Sequence, residues 1–250
     1  MVARVLVTRP EPGASRTGGR LAASGFVPLL LPMTEIVPLP VDAALPSRVD
    51  AVVVTSANAL RHCPPDWVAG LAGTLLFAVG AETGSLARSL GFSGVVEGPG
   101  NALDLAELVS DRLGKGSQLL YLCGKVRLAD FEQNLKQRGI VAHPVETYDA
   151  CPVSYGREEV VRLIGREPVD AVLLYSVEAA RAYERLVSEP GLNAMVAPAN
   201  HLCLSARVAS GLQRADPAAI RIASAPTEDA LFLLLEGQSP GQTRPGLFSA

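Results

Sequence analysis

Two stretches of the sequence share one plan and decide the fold: RVLVTRPEPGASRTGGRLAASGFVPLLLPMTEI at residues 4–36 and QLLYLCGKVRLADFEQNLKQRGIVAHPVETYDA at residues 118–150. Each begins with an apolar run, continues through a loop with a basic residue into a helical pattern closed by glycine, and ends in a second apolar run. A strand, a crossover helix and a second strand in this order are typical of parallel sheets. The two copies therefore predict an α/β protein with an internal repeat.

The repeat continues into the segments that follow each copy. DAVVVTS at residues 50–56 matches DAVLLYS at residues 170–176, and FAVGAETGSLARSLG from residue 77 resembles HLCLSARVASGLQRA from residue 201. EGPGNALDLAELV from residue 97 likewise resembles ASAPTEDALFLLL from residue 223. Strands are predicted at residues 4–8, 26–31, 51–55, 75–79, 94–97, 118–122, 140–145, 171–175, 201–204 and 220–223.

This repeat predicts two similar lobes, each a parallel sheet flanked by helices. Open sheets of this type bind ligands at the carboxyl ends of their strands, so a cleft between the lobes is the expected site. The segments at residues 33–41 and 146–153 are predicted to be extended, because proline stands where a helix would otherwise continue, and we interpret them as paired linkers. Two topologies stay open: consecutive lobes, or a chain that leaves the first lobe at Leu31 and returns near Cys151.

Composition narrows the class of protein. The 250 residues are 48% apolar, which is enough for two cores, and the net charge of −3 argues against a generally basic nucleic-acid binder. No signal peptide and no apolar run of about twenty residues are found, so a cytoplasmic location without a membrane span is expected. The four cysteines lack CxxC spacing, which predicts neither a metal site nor disulfides. Residues 237–250 are rich in Gly, Pro, Ser and Gln and predict a flexible tail.

Polar and small residues follow nearly every predicted strand. Hydroxyl groups at such positions can cap the next helix, whose free N–H groups and partial positive charge attract anions. Arg9, Lys125 and Arg127 lie in equivalent loops of the two copies and could bind carboxylates, although a solvated surface charge is an equal alternative. Arg16 and Arg207 are weaker candidates of the same kind. Together these loops favour an anionic ligand.

Familiar catalytic motifs are absent from the sequence. A GxSxG elbow, a GxxxxGK[ST] loop and a GxGxxG after the first strand are all missing, so acyl transfer, nucleotide hydrolysis and dinucleotide redox chemistry lose support. His62, His143 and His201 are scattered, and His201 opens an apolar strand, which favours a structural role. The sequence predicts a binding cleft with little nucleophilic chemistry.

An ordered series of short motifs resembles the uroporphyrinogen-III synthase family along the chain to about Leu235. The motifs are VLVTRP, VVVTSANAL, FAVGAETGSLARSLGF, YLCGKVRLADFEQNL, VETYDA, LLYSVEAARAYERL and SAPTEDAL. Each motif is weak alone, but their order and spacing are fairly specific. The resemblance implies a first lobe of residues 1–33 with 152–236, a second lobe of residues 42–145, and a two-stranded linker of residues 34–41 and 146–151.

The resemblance also implies a reaction. Family members are cofactor-free lyases that close the anionic hydroxymethylbilane into uroporphyrinogen III, losing water and inverting ring D through a spiro intermediate, on the path to haem. Functional coupling to hydroxymethylbilane synthase and a monomeric state are expected. Two alternatives are a two-lobed small-molecule binding protein and a degenerate synthase that serves as an interaction module.

Site residues follow from the matching motifs. Tyr148 in VETYDA matches the tyrosine proposed to assist loss of the hydroxyl, with packing of the linker as its alternative role. Thr83 and Thr227 match the threonines of the VGxxT and PT motifs, and Ser56 and Ser176 match the serines of two strand exits. The remaining substrate-binding candidates are Arg9, Gly124, Lys125, Arg127 and Arg207.

The sequence departs from the family pattern at two strand exits. Residues 203–207 read CLSAR where the family often has Ile-Gly-Pro-Thr-Thr, and Ser176 is followed by valine where proline is usual. Arg207 is therefore the candidate to replace the missing threonine.

Overall fold

The structure is a computed structural model that describes residues 2–42, 44–127, 129–189, 191–196 and 199–236. The predicted tail at residues 237–250 lies outside the described residues. No helix within the described ranges is long and apolar enough to cross a membrane. The chain divides into two compact units: unit 2 is Ile36–Cys151, and unit 1 is formed by the described residues on either side of it.

Strands and helices alternate along the chain. The strands are β1 (Arg4–Val7), β2 (Val27–Leu30), β3 (Thr34–Pro38), β4 (Ala51–Val54), β5 (Leu76–Ala78), β6 (Val95–Glu97), β7 (Gln118–Gly124), β8 (Val141–Pro152), β9 (Ala171–Leu174), β10 (Asn200–Cys203) and β11 (Ile220–Ile222). The helices are α1 (Gly13–Ala23), α2 (Ala57–Arg61), α3 (Pro65–Leu71), α4 (Ala81–Ser89), α5 (Ala102–Arg112), α6 (Ala129–Gln137), α7 (Arg157–Ile164), α8 (Val177–Val187), α9 (Asn193–Val196), α10 (Ala206–Ala209) and α11 (Glu228–Glu236).

All ten predicted strands are present, and nine of them end within two residues of the predicted bounds. The exception is β8, which begins as predicted but continues to Pro152, through the segment expected to be extended. The other extended segment contains β3, which pairs with β8. Backbone pairing, rather than an apolar pattern, defines these two stretches as strands.

Unit 1 is a five-stranded sheet in the order β11-β10-β9-β1-β2, in which every described pair is parallel. Helices α1 and α11 cover one face through Leu21 and Leu231, and α7, α8 and α10 cover the other. Because both faces are covered, the central strands are mainly apolar, and Val5, Leu6 and Val7 are all fully buried.

The second sheet has six strands in the order β3-β8-β7-β4-β5-β6. Its helices divide in the same way, with α5 and α6 packing Leu105 and Phe131 against one face and α2, α3 and α4 packing against the other. The strands β6-β5-β4-β7-β8 lie in the same order as β11-β10-β9-β1-β2 of unit 1. Each strand in one order is the counterpart, in the sequence repeat, of the strand at the same place in the other. The predicted internal repeat is therefore confirmed, and each sheet draws strands from both halves of the chain.

A repeated aspartate joins equivalent strands in both sheets. The carboxylate of Asp50, just before β4, accepts the backbone N–H of Gln118 at the start of β7 at 2.8 Å. The carboxylate of Asp170, just before β9, accepts the N–H of Arg4 at the start of β1 at 2.7 Å, across 166 residues of sequence. These bonds satisfy the first donor of each neighbouring strand, and they fix the central strand pair of each sheet in register.

Candidate functional site

The carboxyl ends of the parallel strands form one edge of each sheet, called the carboxyl edge below. Four helices that begin there are capped by hydroxyl groups. Ser56 accepts the N–H of Asn58 at 3.2 Å and Ser176 accepts that of Ala179 at 3.1 Å, while Ser205 and Thr227 cap α10 and α11 in the same way. The capping expected for these hydroxyls is thus observed. The first-turn N–H groups of such helices have no partner inside the helix, which suits them to anions.

Tyr148 lies at the carboxyl edge of unit 2, on β8. Its hydroxyl is hydrogen-bonded to the side chain of Ser56, and its ring lies against the backbone of Gly124. The backbone N–H of Lys125 donates to the carbonyl of Tyr148 at 2.9 Å. Four of the residues expected at the site from the sequence, Ser56, Gly124, Lys125 and Tyr148, therefore meet at one place.

Neighbouring groups hold Tyr148 in this position. The hydroxyl of Thr147 is buried and donates to the carbonyl of Ala59 at 3.0 Å, which ties β8 to helix α2. The ring of His62, at the end of the same helix, lies 6.5 Å from the ring of Tyr148. No sequence pattern indicated His62 at this site, because His62 and Tyr148 are far apart along the chain.

Burial raises the pKa of Tyr148 above the usual value for a phenol, although the hydrogen bond from Ser56 opposes this shift. The hydroxyl of Tyr148 is therefore protonated at neutral pH. A protonated phenol can donate a hydrogen bond or a proton to a departing group.

The basic residues of unit 2 face carboxylates of the same unit. The ammonium of Lys125 lies 3.2 Å from the carboxylate of Asp149, although 61% of the lysine side chain is exposed. Arg127 donates to Glu132 at 2.7 Å and to Glu146 at 2.5 Å. These hydrogen bonds outweigh desolvation and raise the pKa of Arg127, so this guanidinium is held firmly by two anions.

Thr83 lies in the first turn of α4, at the exit of β5. Its side chain is almost fully buried, so only its backbone is suited to contact a ligand. The loop that precedes α4 packs closely on the loop after β6: a Cβ at Gly80 would lie 3.4 Å from the Cα of Gly100, which has a φ of +102°. Glycine at both positions allows these two strand exits to lie side by side.

A partly buried ionic cluster occupies the carboxyl edge of unit 1. One oxygen of the Glu228 carboxylate accepts hydrogen bonds from Arg9 at 3.1 Å, from the hydroxyl of Tyr175 at 2.9 Å and from Thr17. The other oxygen accepts from Arg20. The guanidinium of Arg9 also lies over the ring of Tyr175, 4.6 Å from its centre. Arg9, expected to bind substrate, is therefore bonded to the protein's own carboxylate.

The electrostatics of this cluster agree with its geometry. Burial would raise the pKa of Glu228, but hydrogen bonds from Thr17, Tyr175 and Arg20 and the charge of Arg9 outweigh it, so the pKa lies below its usual value. Burial and the charge of Glu228 raise the pKa of Tyr175. Glu228 is thus ionised and Tyr175 neutral at pH 7.

One indication of Glu228 was visible in the sequence, since this residue follows Thr227 at a strand exit. Its partners had no such signal, because Arg9 is 219 residues away and Tyr175 is 53 residues away.

The remaining candidates in unit 1 lie at separate strand exits. Ser176 follows β9, Thr227 follows β11, and Arg207 lies exposed on the short helix after β10. Elsewhere in this unit, His201 is buried in β10, with its Nε2 atom 3.3 Å from the hydroxyl of Tyr183. Burial lowers the pKa of His201 against the opposing charge of Glu184, in agreement with the structural role expected for it. Among the described residues, no cluster of His, Cys, Asp or Glu could hold a metal ion.

Comparison with known proteins identifies the family. A family model described as "Uroporphyrinogen-III synthase HemD" matches residues 15–232 of the chain. The chain belongs to the uroporphyrinogen-III synthase family. Among curated proteins no sequence match is found.

Solved structures of the same family share the fold. Uroporphyrinogen-III synthetase from Helicobacter pylori is 18% identical, with 96% of this chain and 100% of that chain covered and a TM-score of 0.67. A mutant uroporphyrinogen III synthase from the extremely thermophilic bacterium Thermus thermophilus is 20% identical, with 95% and 98% covered and a TM-score of 0.56. The predicted fold class, parallel sheets flanked by helices in two similar lobes, is confirmed.

Membership of the uroporphyrinogen-III synthase family makes the chain a lyase of tetrapyrrole biosynthesis. It cyclises hydroxymethylbilane to uroporphyrinogen III with loss of water and inversion of ring D. The two alternatives, a binding protein without chemistry and a degenerate interaction module, are not favoured.

Proposed function

We propose that the chain performs this reaction at its carboxyl edges, with Tyr148 as the proton donor to the departing hydroxyl of hydroxymethylbilane. The observation that supports this assignment is the position of Tyr148, whose protonated hydroxyl is bonded to Ser56 and whose ring lies on Gly124. The hydroxyl leaves as water when its oxygen takes up a proton, and the electron-rich pyrroles supply the electrons that replace the broken carbon–oxygen bond. Positioning and electrostatics then account for most of the catalysis.

The acetate and propionate groups of the substrate need donors. We propose that N–H groups at helix starts supply most of them, near Ser56 and Thr83 in unit 2 and near Ser176 and Thr227 in unit 1. Backbone N–H groups fit this role because the helix dipole favours negative charge. At Ser56, Ser176 and Thr227 a hydroxyl cap also fixes the start of the helix. The backbone of Gly124 borders the same site. The charged residues assigned to substrate carboxylates are Arg9, Lys125, Arg127 and Arg207.

Each of these charged residues has a different environment. Lys125 and Arg207 are well exposed and can reach a ligand directly, whereas Arg9 and Arg127 act from within ion pairs. We infer that Lys125 and Arg207 contribute attraction that depends on salt, and that Arg9 and Arg127 mainly set the local potential.

The domain bounds and the cellular setting are also proposals. We propose a discontinuous lobe of residues 1–33 and 152–236, a second lobe of residues 42–145, and linker strands at residues 34–41 and 146–151. The substrate class implies supply by hydroxymethylbilane synthase. We further propose a cytoplasmic monomer that needs no cofactor, metal or nucleic acid.

The product isomer tests the proposed function. The purified chain, supplied with porphobilinogen and a hydroxymethylbilane-producing deaminase, should shift the oxidised porphyrin product from the type I to the type III isomer. Chromatography that shows only type I would reject the activity.

Tyr148→Phe tests the proton donor. We expect turnover to fall, since the hydroxyl is lost, while the melting temperature changes little. Tyr155→Phe is the matched control, because it also removes one tyrosine hydroxyl, which donates to the carbonyl of Pro32 at 2.8 Å in unit 1. Equal turnover in the two variants would show that Tyr148 only packs the linker and is not the proton donor.

A further inference from the structure

Three basic side chains at the carboxyl edges lie opposite carboxylates of the chain itself. Lys125 faces Asp149 and Arg127 faces Glu146 in unit 2, while Arg9 faces Glu228 in unit 1. An enzyme for an anionic substrate would bind it more tightly if these cations were uncompensated. The pairing of these cations with the chain's own carboxylates, called charge compensation below, therefore needs a physical explanation.

Glu228 shows this charge compensation most completely. Its side chain is 18% exposed and faces two guanidinium groups, since Arg9 donates to one carboxylate oxygen and Arg20 to the other. Asp229 adds a second anion to Arg20 at 2.5 Å. Both cations are therefore paired beside Thr227, at the strand exit assigned above to substrate carboxylates.

The chemistry of the reaction supplies a reason. Ring closure breaks the carbon–oxygen bond to the departing hydroxyl, which leaves with a proton as water, and it forms a carbon–carbon bond to ring D. Inversion of ring D exchanges the positions of its acetate and propionate but removes no carboxylate. Substrate and product therefore carry the same number and kind of carboxylates, so these cations attract both. Binding that is equal for substrate and product does not accelerate the chemical step, and it slows turnover when product release becomes limiting.

We propose that Glu228 is a positioning residue that limits the affinity of unit 1 for the carboxylates of substrate and product, by holding Arg9 and Arg20. This inference rests on the proposed function. It assigns Glu228 a role in product release rather than in the chemical step.

The Glu228→Gln variant tests this role, because the amide is nearly isosteric and removes the negative charge. We expect the KM for hydroxymethylbilane and the inhibition constant of uroporphyrinogen III to fall together, roughly two- to fivefold at low salt, as for a partly exposed ion pair. The kcat should stay equal or fall. The gain in affinity should shrink at high salt, since screening weakens the added attraction. A merely structural role would not tighten product binding.

Two further variants complete the experiment. Glu107→Gln is the matched control. It also removes one carboxylate from an arginine, Arg138 at 3.1 Å, but between helix α5 and the turn after helix α6 of unit 2, where 64% of the glutamate side chain is exposed. Its KM and inhibition constant should equal those of the wild type. Asp229→Asn removes a carboxylate that is 58% exposed, so it should fold, and it should give a smaller change in the direction of Glu228→Gln.

The outcomes separate the inference from the proposed function. A wild-type chain that yields only the type I isomer contradicts the proposed function. If the wild type yields type III but product inhibition is unchanged or weaker in folded Glu228→Gln, the inference is wrong. Should Glu228→Gln fail to fold, the inhibition constant of Asp229→Asn decides in the same way.

Discussion

Replacement of Gly124 by alanine would test how firmly the site holds Tyr148. A Cβ at this position would lie 2.7 Å from Cζ of Tyr148 and 3.0 Å from its Cε2 and hydroxyl oxygen. Carbon atoms in contact normally lie about 3.5 to 4.0 Å apart, so the ring has to move by roughly 1 Å. The φ of Gly124 is outside the left-handed region, so alanine itself fits the backbone and the cost comes from this contact.

The size of the effect follows from the surroundings of the ring. Tyr148 packs against the buried cluster of unit 2 that contains Leu60 and Leu122, and its carbonyl is bonded to Lys125. Overpacking at such a place costs about 1–3 kcal/mol, which lowers the melting temperature of a chain of this size by roughly 2–12 °C. A displacement of about 1 Å at a catalytic group can reduce turnover by on the order of 100-fold.

Calorimetry and single-temperature kinetics would measure the two effects. Gly70→Ala is a matched control, because a Cβ at Gly70 in helix α3 meets no heavy atom within 4 Å. The control should be as stable as the wild type or more stable by about 0.5–1 kcal/mol. A Gly124→Ala melting temperature equal to that of the wild type would show that the ring moves aside without cost. A lowered melting temperature with full turnover would show that the position of the ring is unimportant to the reaction.

Two further predictions concern charge. Lys125→Ala should raise KM with little change in kcat, and the difference in KM from the wild type should shrink at high salt. A loss of activity that is the same at all salt concentrations would instead indicate a defect in folding. His201→Phe should make the free energy of unfolding less sensitive to acid. Burial lowers the pKa of His201 in the folded chain, so the unfolded chain takes up the proton first as pH falls below about 6.5. The wild type therefore loses stability in this range, whereas the variant has no such proton to take up. Calorimetry between about pH 5 and 8 would measure this, and parallel stability curves for the two proteins would contradict it.

The repeated parts of the fold were predictable because they depend on local patterns. The central strands are predicted by the runs DAVVV and DAVLL, because a parallel sheet that is covered on both faces has apolar residues on both. The aspartate that precedes each of these strands was visible as part of the repeat. Its function, accepting the first N–H of a neighbouring strand, depends on pairing across distant sequence and appears only in the structure.

The site was predictable at its strand exits but not in its charge balance. Tyr148 stands in a motif of the family, so its position could be expected, whereas its close approach to Gly124 depends on the register shift between β7 and β8. The partner of Arg9 could not be expected, because Glu228 is at the other end of the chain. The sequence pattern of an arginine at a strand exit is the same whether its side chain faces solvent, a ligand or an internal carboxylate.

The position of β1 inside its sheet has a consequence for synthesis on the ribosome. Strand β1 lies between β2 and β9, and Arg4 meets Asp170 across 166 residues. At about 5–20 residues per second, β9 is translated roughly 8–33 s after β1, while the residues of unit 2 emerge as one continuous stretch. During that interval one side of an apolar strand has no partner, which exposes the nascent chain to aggregation. Slow codons or limiting chaperones between these two segments would therefore reduce the yield of folded enzyme without any change in its amino acids.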